Sequence, residues 1–212
     1  MKVGVLGSGE VATTLAAGFV RHGHQVLIGS RDPARLADWL AAHPGSTAGT
    51  FADAAAFGEL VVLAVKGSAA LDVLALAEAA NLAGKPVIDV TNPIADAPPV
   101  NGVLSFYTDL NLSLLETLQQ AFPEAHFVKA FNSVGSARMV NPQFTGGPPS
   151  MFICGNDDHA KRTVKGVVEQ FGWEPIDMGT MAAARAIEPL CMLWCIPGFL
   201  NNQWQHAFKL LR

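Results

Sequence analysis

Short apolar runs of strand length alternate with longer stretches of helical period along this chain. Lys2–Leu6 and Gln25–Gly29 are runs of the first kind. Between them, Val11–His22 places small and apolar residues at helical spacing, and Gly23 supplies the stop. Asp32-Pro33 reads as the N-cap and first residue of another helix, since proline there forfeits no needed hydrogen bond. Leu36, Trp39 and Leu40 give that helix its apolar face. Thr47–Thr50 is a short strand candidate, followed by a helix at Phe51–Phe57. Leu60–Val65 is apolar throughout, as in a strand buried on both faces. A helix over Ser68–Asn81 then leads to the strand Pro86–Val90.

Residues 91–112 lack any period and contain Pro93, Pro98, Pro99 and Gly102, so they form a long loop of the kind that often carries function. Ser113–Phe122 is helical and His126–Ala130 is a strand. A second irregular stretch covers 133–150. Met151–Cys154 and Trp173–Asp177 are strands around a helix over Asp158–Phe171, and Met181–Arg212 reads as mostly helical. Strands alternating with helices imply βαβ units with right-handed crossovers. The expected fold class is therefore α/β, a doubly wound parallel sheet over residues 1–180 with a short helical extension over 181–212.

The 212 residues suffice for one such domain and a small extension. Half are apolar and 15% are charged, which excludes a disordered chain. The net charge of −4, with no Lys/Arg run, argues against a nucleic-acid partner. Three cysteines without paired spacing argue against a disulfide framework and for a reducing, cytoplasmic location. Met1–Gly9 reads as a strand and not as a signal peptide. No membrane partner is expected: Ala186–Leu200 is apolar, but Glu188, Pro189 and Pro197 interrupt it, so it reads as a buried or interface helix.

The strongest chemical signal is Gly7-Ser8-Gly9-Glu10-Val11-Ala12, which follows the first strand and opens the first helix. In that context Gly7 permits a tight turn, Gly9 lets backbone approach a pyrophosphate, and Ala12 allows the helix to pack on the strand. The helix N-terminus then offers free N–H groups to phosphate. At the end of the second strand, Ser30 stands where an acid would hold the 2′-hydroxyl of NAD. Arg31, with Arg35 on the following turn, offers cations for a 2′-phosphate, so NADP(H) is expected over NAD(H). Solvated surface arginines are the plain alternative.

Ligands on such sheets bind outside the carboxyl ends of the strands. Three more strand ends are therefore candidates: Ala64-Val65-Lys66, Asn92-Pro93 and Ala130-Phe131-Asn132. Lys66 reaches toward phosphate or simply caps its strand. Asn92 is held extended by the proline that follows it. Phe131 and Asn132 suit a nicotinamide ring and its carboxamide, unless Phe131 belongs to the core. No metal spacing and no nucleophile–base set is visible among the histidines and cysteines, and Cys191 and Cys195 read as packing residues. No catalytic side chain is assigned: no Lys, His or Tyr presents itself as an acid or base, and Tyr107, the one tyrosine, lies in the long loop. Hydride transfer between a nicotinamide and a flavin-like ring needs none, because the cofactors carry the chemistry.

Several segments resemble one family as an ordered set: Gly7-Ser-Gly9, Gly29-Ser-Arg31, Asp89-Val-Thr-Asn-Pro93, Val128-Lys-Ala-Phe-Asn132, Ile153-Cys-Gly155 with Ala160-Lys-Arg162, and Asp177-Met-Gly179. The family is that of the NADPH-dependent reductases of the deazaflavin coenzyme F420. The chain is also similar to the cytoplasmic oxidoreductase domain of the six-transmembrane epithelial antigen metalloreductases. Archaeal deazaflavin reductases often carry His where this chain has Asn132, and there the metalloreductases look closer. The resemblance implies an NADP(H) cofactor held by the glycine turn, Ser30, Arg31, Arg35 and the strand ends at Val65, Asn92 and Ala130. It implies hydride exchange with F420, FMN or FAD as the small-molecule redox acceptor. It further implies a homodimer joined through about 188–200. The ring pocket is expected from Phe131, Asn132, Val134 and Met178–Met181. The readings that compete are an NADP(H)-binding sensor or scaffold without turnover, and a reductase of imines or 2-hydroxy-acid-like substrates. The short C-terminal part speaks against the last.

Overall fold

The computed structural model describes residues 1–212. Eight strands form one sheet: β1 (Lys2–Leu6), β2 (Gln25–Gly29), β3 (Ser46–Gly49), β4 (Leu60–Leu63), β5 (Pro86–Asp89), β6 (His126–Lys129), β7 (Ser150–Gly155) and β8 (Glu174–Asp177). Their order is β3-β2-β1-β4-β5-β6-β7-β8, and β1 to β6 are parallel. The helices are α1 (Glu10–Arg21), α2 (Ala37–Ala42), α3 (Phe51–Phe57), α4 (Ala70–Ala77), α5 (Ala79–Leu82), α6 (Leu114–Ala121), α7 (Asp158–Gln170) and α8 (Ala184–Asn201).

Alternation along the buried strands assigns their side chains to two core layers. Val3, Val5, Leu60 and Val62 pack with Leu15 and Phe19 of α1 and Val164 of α7 on one face. Leu6, Val61, Leu63 and Phe127 pack with Leu74 of α4 and Leu118 of α6 on the other. All four residues of β4 are fully buried, each contributing about 1.5–3 kcal/mol of apolar transfer. A charge placed at Val62 would break this center of the sheet. A third cluster of Leu104, Cys191, Trp194 and Cys195 seats α8 against the 91–112 loop.

Four details differ from the sequence reading. First, β7 runs antiparallel to β6. The chain between them contains only a 3₁₀ turn, Ser136–Arg138, and lacks the helical crossover that a parallel return requires. Second, the stretch read as one helix over 68–81 divides at Glu78, whose φ of 66° breaks the α-helical path and separates α4 from α5. Third, Asp32 makes no capping bond. Its own N–H goes to Ser30 Oγ at 3.1 Å, and Pro33–Leu36 is a 3₁₀ turn ahead of α2. Fourth, helix ends at Asn201. Asn202 is left-handed (φ 54°), and the tail returns irregularly along β7, where Ser150 N–H donates to Phe208 O at 2.9 Å. Lys209 pairs with Glu174 at 2.6 Å.

The 21 residues Met181–Asn201 are long and apolar enough to cross a bilayer by length and composition. In this fold the segment lies against the sheet, with Glu188 buried in an ion pair with Lys129.

Candidate functional site

The strands β1, β2 and β3 step outward in one direction, and β4 then returns to the opposite side of β1. The connections leaving β1 and β4 therefore diverge, and a crevice opens outside their carboxyl ends. A cleft of about 1080 Å³ lies there. It runs from Arg31 and Arg35 past Gly7–Val11 and Ala64–Ala69 to Asn92, Asn132 and the α8 residues Cys191, Trp194 and Cys195.

Gly7 makes the turn into this cleft. Its φ is 134°, and a Cβ there would sit 2.3 Å from the Ala64 carbonyl oxygen. Its N–H donates to Gly29 O at 3.0 Å, joining the turn to β2. Gly9 is different: a Cβ would meet nothing within 4 Å, so the cradle is open on that side. Gly9 is the N-cap of α1 and supplies no side-chain cap, which leaves the first-turn amides available to an anion. Glu10 lines the same space, and its carboxylate accepts from Ser136 Oγ at 2.5 Å. Ala12 is fully buried against the sheet and does not line the cleft, in keeping with a packing role.

Ser30 is nearly buried. It donates to Ser8 Oγ at 3.2 Å and accepts from Asp32 N–H, which ties the end of β2 to the phosphate turn. Arg31 and Arg35 are exposed on the cleft, and neither is in an ion pair. Asp32 lies between them on the same wall. Lys66 is likewise exposed and unpaired beside Ala64 and Val65.

At the far end two amides lock together. Asn92 Nδ2 donates to Asn132 O at 2.7 Å, and Asn132 Nδ2 donates to Asn92 Oδ1 at 3.2 Å and to Ile187 O at 2.9 Å. Asn132 Oδ1 is buried without a partner. Such a group costs free energy until a donor meets it. Pro93 and Ala130 are buried behind this wall and do not line the cleft. Phe131 reaches the cleft, but only 1% of it is exposed, and its ring packs 5.9 Å from Phe171. The ring belongs to the core. Its left-handed φ of 59° redirects the chain directly ahead of Asn132.

The expected wall at Met178–Met181 is replaced by α8. Met178 is half exposed at the edge of β7 and β8, where its N–H bonds Ile153 O at 2.8 Å. Val134 lines the cleft as expected, and Met139, Cys191, Trp194 and Cys195 take the place of Met178–Met181. Trp194 stacks on His206 at 5.0 Å, which fixes its ring plane. The neighbouring Cys195 sulfur, with burial, holds the Cys191 pKa above the usual thiol value, and Cys191 in turn holds the Cys195 pKa below it.

Beneath this end lies a group that the sequence pattern does not reveal. Lys129, at the end of β6, is fully buried with Nζ 2.6 Å from Asp89 and 2.9 Å from Glu188. It also donates to Thr91 O at 2.9 Å. Burial alone would pull its pKa down, but Asp89 and Glu188 outweigh it and push the ammonium up to about 12. Glu188 further accepts from the N–H groups of Leu114 and Leu115 at 3.0 Å, capping α6 from α8.

The cleft fits a pyridine dinucleotide: an open glycine cradle at a helix N-terminus for the pyrophosphate, unpaired guanidiniums at the ribose end, and an orphaned amide oxygen at the other. The comparisons with known proteins agree with that class. The family model described as NADP oxidoreductase, coenzyme F420-dependent, matches residues 2–93. A protein of Arthrobacter sp. FB24 described as an F420-dependent NADP reductase superposes with a TM-score of 0.94 at 36% identity, covering 100% of both chains. Metalloreductase STEAP3 of Rattus norvegicus is 35% identical over 205 residues, 94% of this chain and 39% of that protein. The chain thus spans well under half the length of this curated relative. An imine reductase of Streptomyces aurantiacus shares the fold alone, with a TM-score of 0.69 at 18% identity, 94% of this chain and 63% of that one. The chain belongs to the F420-dependent NADP oxidoreductase family.

Proposed function

We propose that this protein is an NADPH-dependent reductase that passes hydride to a flavin or deazaflavin ring, in either direction, without a side-chain acid or base. The observation that carries this reading is the course of the cleft. One continuous crevice leads from the two unpaired arginines, over the glycine turn, to an amide pair that faces a wall of Trp194 and two thiols. Its size, about 1080 Å³, lies at the upper end of the roughly 300–1,000 Å³ range of small-molecule sites.

Bound here, NADPH would supply a hydride from its nicotinamide C4 and a ring acceptor would take it up with a proton from solvent, giving NADP⁺ and the reduced ring. The chain's own residues bind, orient and exclude water. The α1 N-terminus and Gly9 receive the pyrophosphate. Arg31 and Arg35 receive the 2′-phosphate. Asn132 Oδ1, buried without a partner, would accept from the carboxamide N–H and so orient the nicotinamide. Trp194, Val134 and Met139 keep the acceptor side dry and flat. Positioning of this kind supplies much of the barrier lowering when the reacting atoms are held about 3–3.5 Å apart.

A homodimer is part of the same proposal. Leu193, Phe199 and Leu200 of α8 and Val100 and Val103 of the neighbouring loop are exposed apolar residues at one end of the molecule. Anaerobic NADPH oxidation tests the main reading, with coenzyme F420, FMN, FAD and riboflavin offered in parallel. Rapid loss of the 340 nm band with one of these rings is the expected result. Tight NADPH binding without oxidation by any of them would instead favour a sensor or scaffold.

A further inference from the structure

We propose that Glu188 is the positioning residue that sets the acceptor wall of α8 against the nicotinamide end of the cleft, acting through Lys129. The inference rests on the hydride-transfer reading above and names the device that holds its two halves in register.

The two halves come from different parts of the chain. Asn92 and Asn132 follow β5 and β6, whereas Cys191, Trp194 and Cys195 belong to α8. A shift of α8 along its axis by one residue would move its side chains by about 1.5 Å. That is a large fraction of the distance over which hydride is transferred. Close apolar contacts seat α8, Trp194 against Gly135 and Gly198 against Trp204, and a directional polar tie to the sheet adds to the register they set.

Glu188 supplies the pin. Its Oε1 lies 2.9 Å from Lys129 Nζ and accepts from Leu115 N–H, while Oε2 accepts from Leu114 N–H. Lys129 divides its remaining donors between Asp89 and the Thr91 carbonyl. Asp89 in turn accepts from Thr91 N–H at 2.9 Å and from its hydroxyl at 2.6 Å. The turn so fixed is the one that carries Asn92. On the α8 side, the residue before Glu188 presents the carbonyl that holds Asn132. One buried carboxylate therefore fixes both the helix that bears Trp194 and the amide pair opposite it. Two carboxylates against one ammonium leave a buried charge of −1, and the α6 N-terminus, a partial positive charge, faces it through Leu114 and Leu115.

The test replaces Glu188 by Gln in the full chain. Single-turnover hydride transfer to the ring acceptor should fall at least tenfold, while the NADPH dissociation constant stays within threefold, since the phosphate turn and arginines are untouched. Arg185→Ala is the control: it cuts the other α8–α6 link, to Glu116, outside the network, and should leave the transfer rate within twofold. If Glu188→Gln does not fold, Asp89→Asn/Lys129→Met severs the tie to the sheet, leaves Glu188 on the α6 amides, and should show the same split. An unchanged transfer rate in a folded variant overturns the proposal. So does an equal loss of rate and NADPH affinity. If the wild-type protein reduces no ring acceptor, the functional reading fails by itself. Crystal structures of wild type and variant with NADPH then decide this one: a Trp194 displacement of on the order of 0.5 Å or more relative to Asn132 upholds the pin, and superposable positions overturn it.

Discussion

Gly7 and Gly9 sit two residues apart in the same turn, yet the structure separates their roles, and alanine at each position should show it. At Gly7, alanine must adopt a φ of 134° and place its Cβ 2.3 Å from a backbone oxygen that cannot swing away. The conformational cost alone is about 1–3 kcal/mol, and the contact adds to it. At Gly9 the backbone is extended (φ −81°, ψ −179°) and the Cβ meets nothing within 4 Å, so the fold should lose only a few tenths of a kcal/mol up to ~1 kcal/mol at this N-cap position. The new methyl would instead occupy space intended for pyrophosphate. Displacing the phosphate from even one charge-assisted backbone hydrogen bond costs about 1.5–3 kcal/mol, roughly a 10- to 150-fold rise in the NADPH dissociation constant. Urea unfolding and a fluorescence titration with NADPH, run on both variants, separate these effects. Gly9→Ala should lower its unfolding midpoint only slightly and lose binding. Gly7→Ala should unfold at markedly lower urea. A Gly9→Ala protein that binds NADPH within twofold of wild type would refute the placement of the pyrophosphate.

Three further outcomes follow from the charges. Arg31→Ala should weaken NADPH binding about tenfold or more and leave NADH unchanged, because only the 2′-phosphate meets the guanidinium; parallel titrations with the two cofactors read this. Glu116 is held down to about 2, chiefly by the Arg185 guanidinium, so its stabilisation is fully present above its ordinary 4.5 and lost as pH falls through about 2. The half-exposed arginine limits this to on the order of 2 kcal/mol, and Arg185→Ala should flatten the acid limb of stability against pH in urea titrations. Lys129→Met leaves two buried carboxylates facing each other and should cost about 3–5 kcal/mol by the same unfolding assay. In the wild type, the Lys129 contribution is fully present below pH 10.5 and lost as pH rises through about 12.

The parts of this protein that could be read from sequence are those in which residue type and local geometry are tied. The Gly7–Ala12 turn is of this kind, because only glycine permits the φ and the close approach that the turn demands. The β4 run is another, since four consecutive buried apolar residues suit a central strand and little else. The direction of β7 was not legible: an apolar pattern has the same period in either direction. Lys129 and Glu188 were not legible as a pair, because they lie 59 positions apart and a charged residue read alone suggests solvent. The same holds for the acceptor wall. The α8 sequence is apolar nearly all round, so it does not tell which side carries Cys191 and Trp194 into the cleft. Asp32-Pro33 has the composition of a helix start. The Asp32 N–H donates to the Ser30 hydroxyl and Pro33–Leu36 winds as a 3₁₀ turn, in which the Asp32 carboxylate caps no N–H.

The central claim is direct hydride transfer from a nicotinamide held by this cleft to a ring stacked on it. It is tested most directly by anaerobic single-turnover oxidation of NADPH deuterated at the 4R or the 4S position, with F420 or FMN as acceptor. The account predicts a primary isotope effect with one epimer and none with the other, because the nicotinamide presents a single face. Equal rates for both epimers and unlabelled NADPH, or no oxidation by any ring, would contradict it.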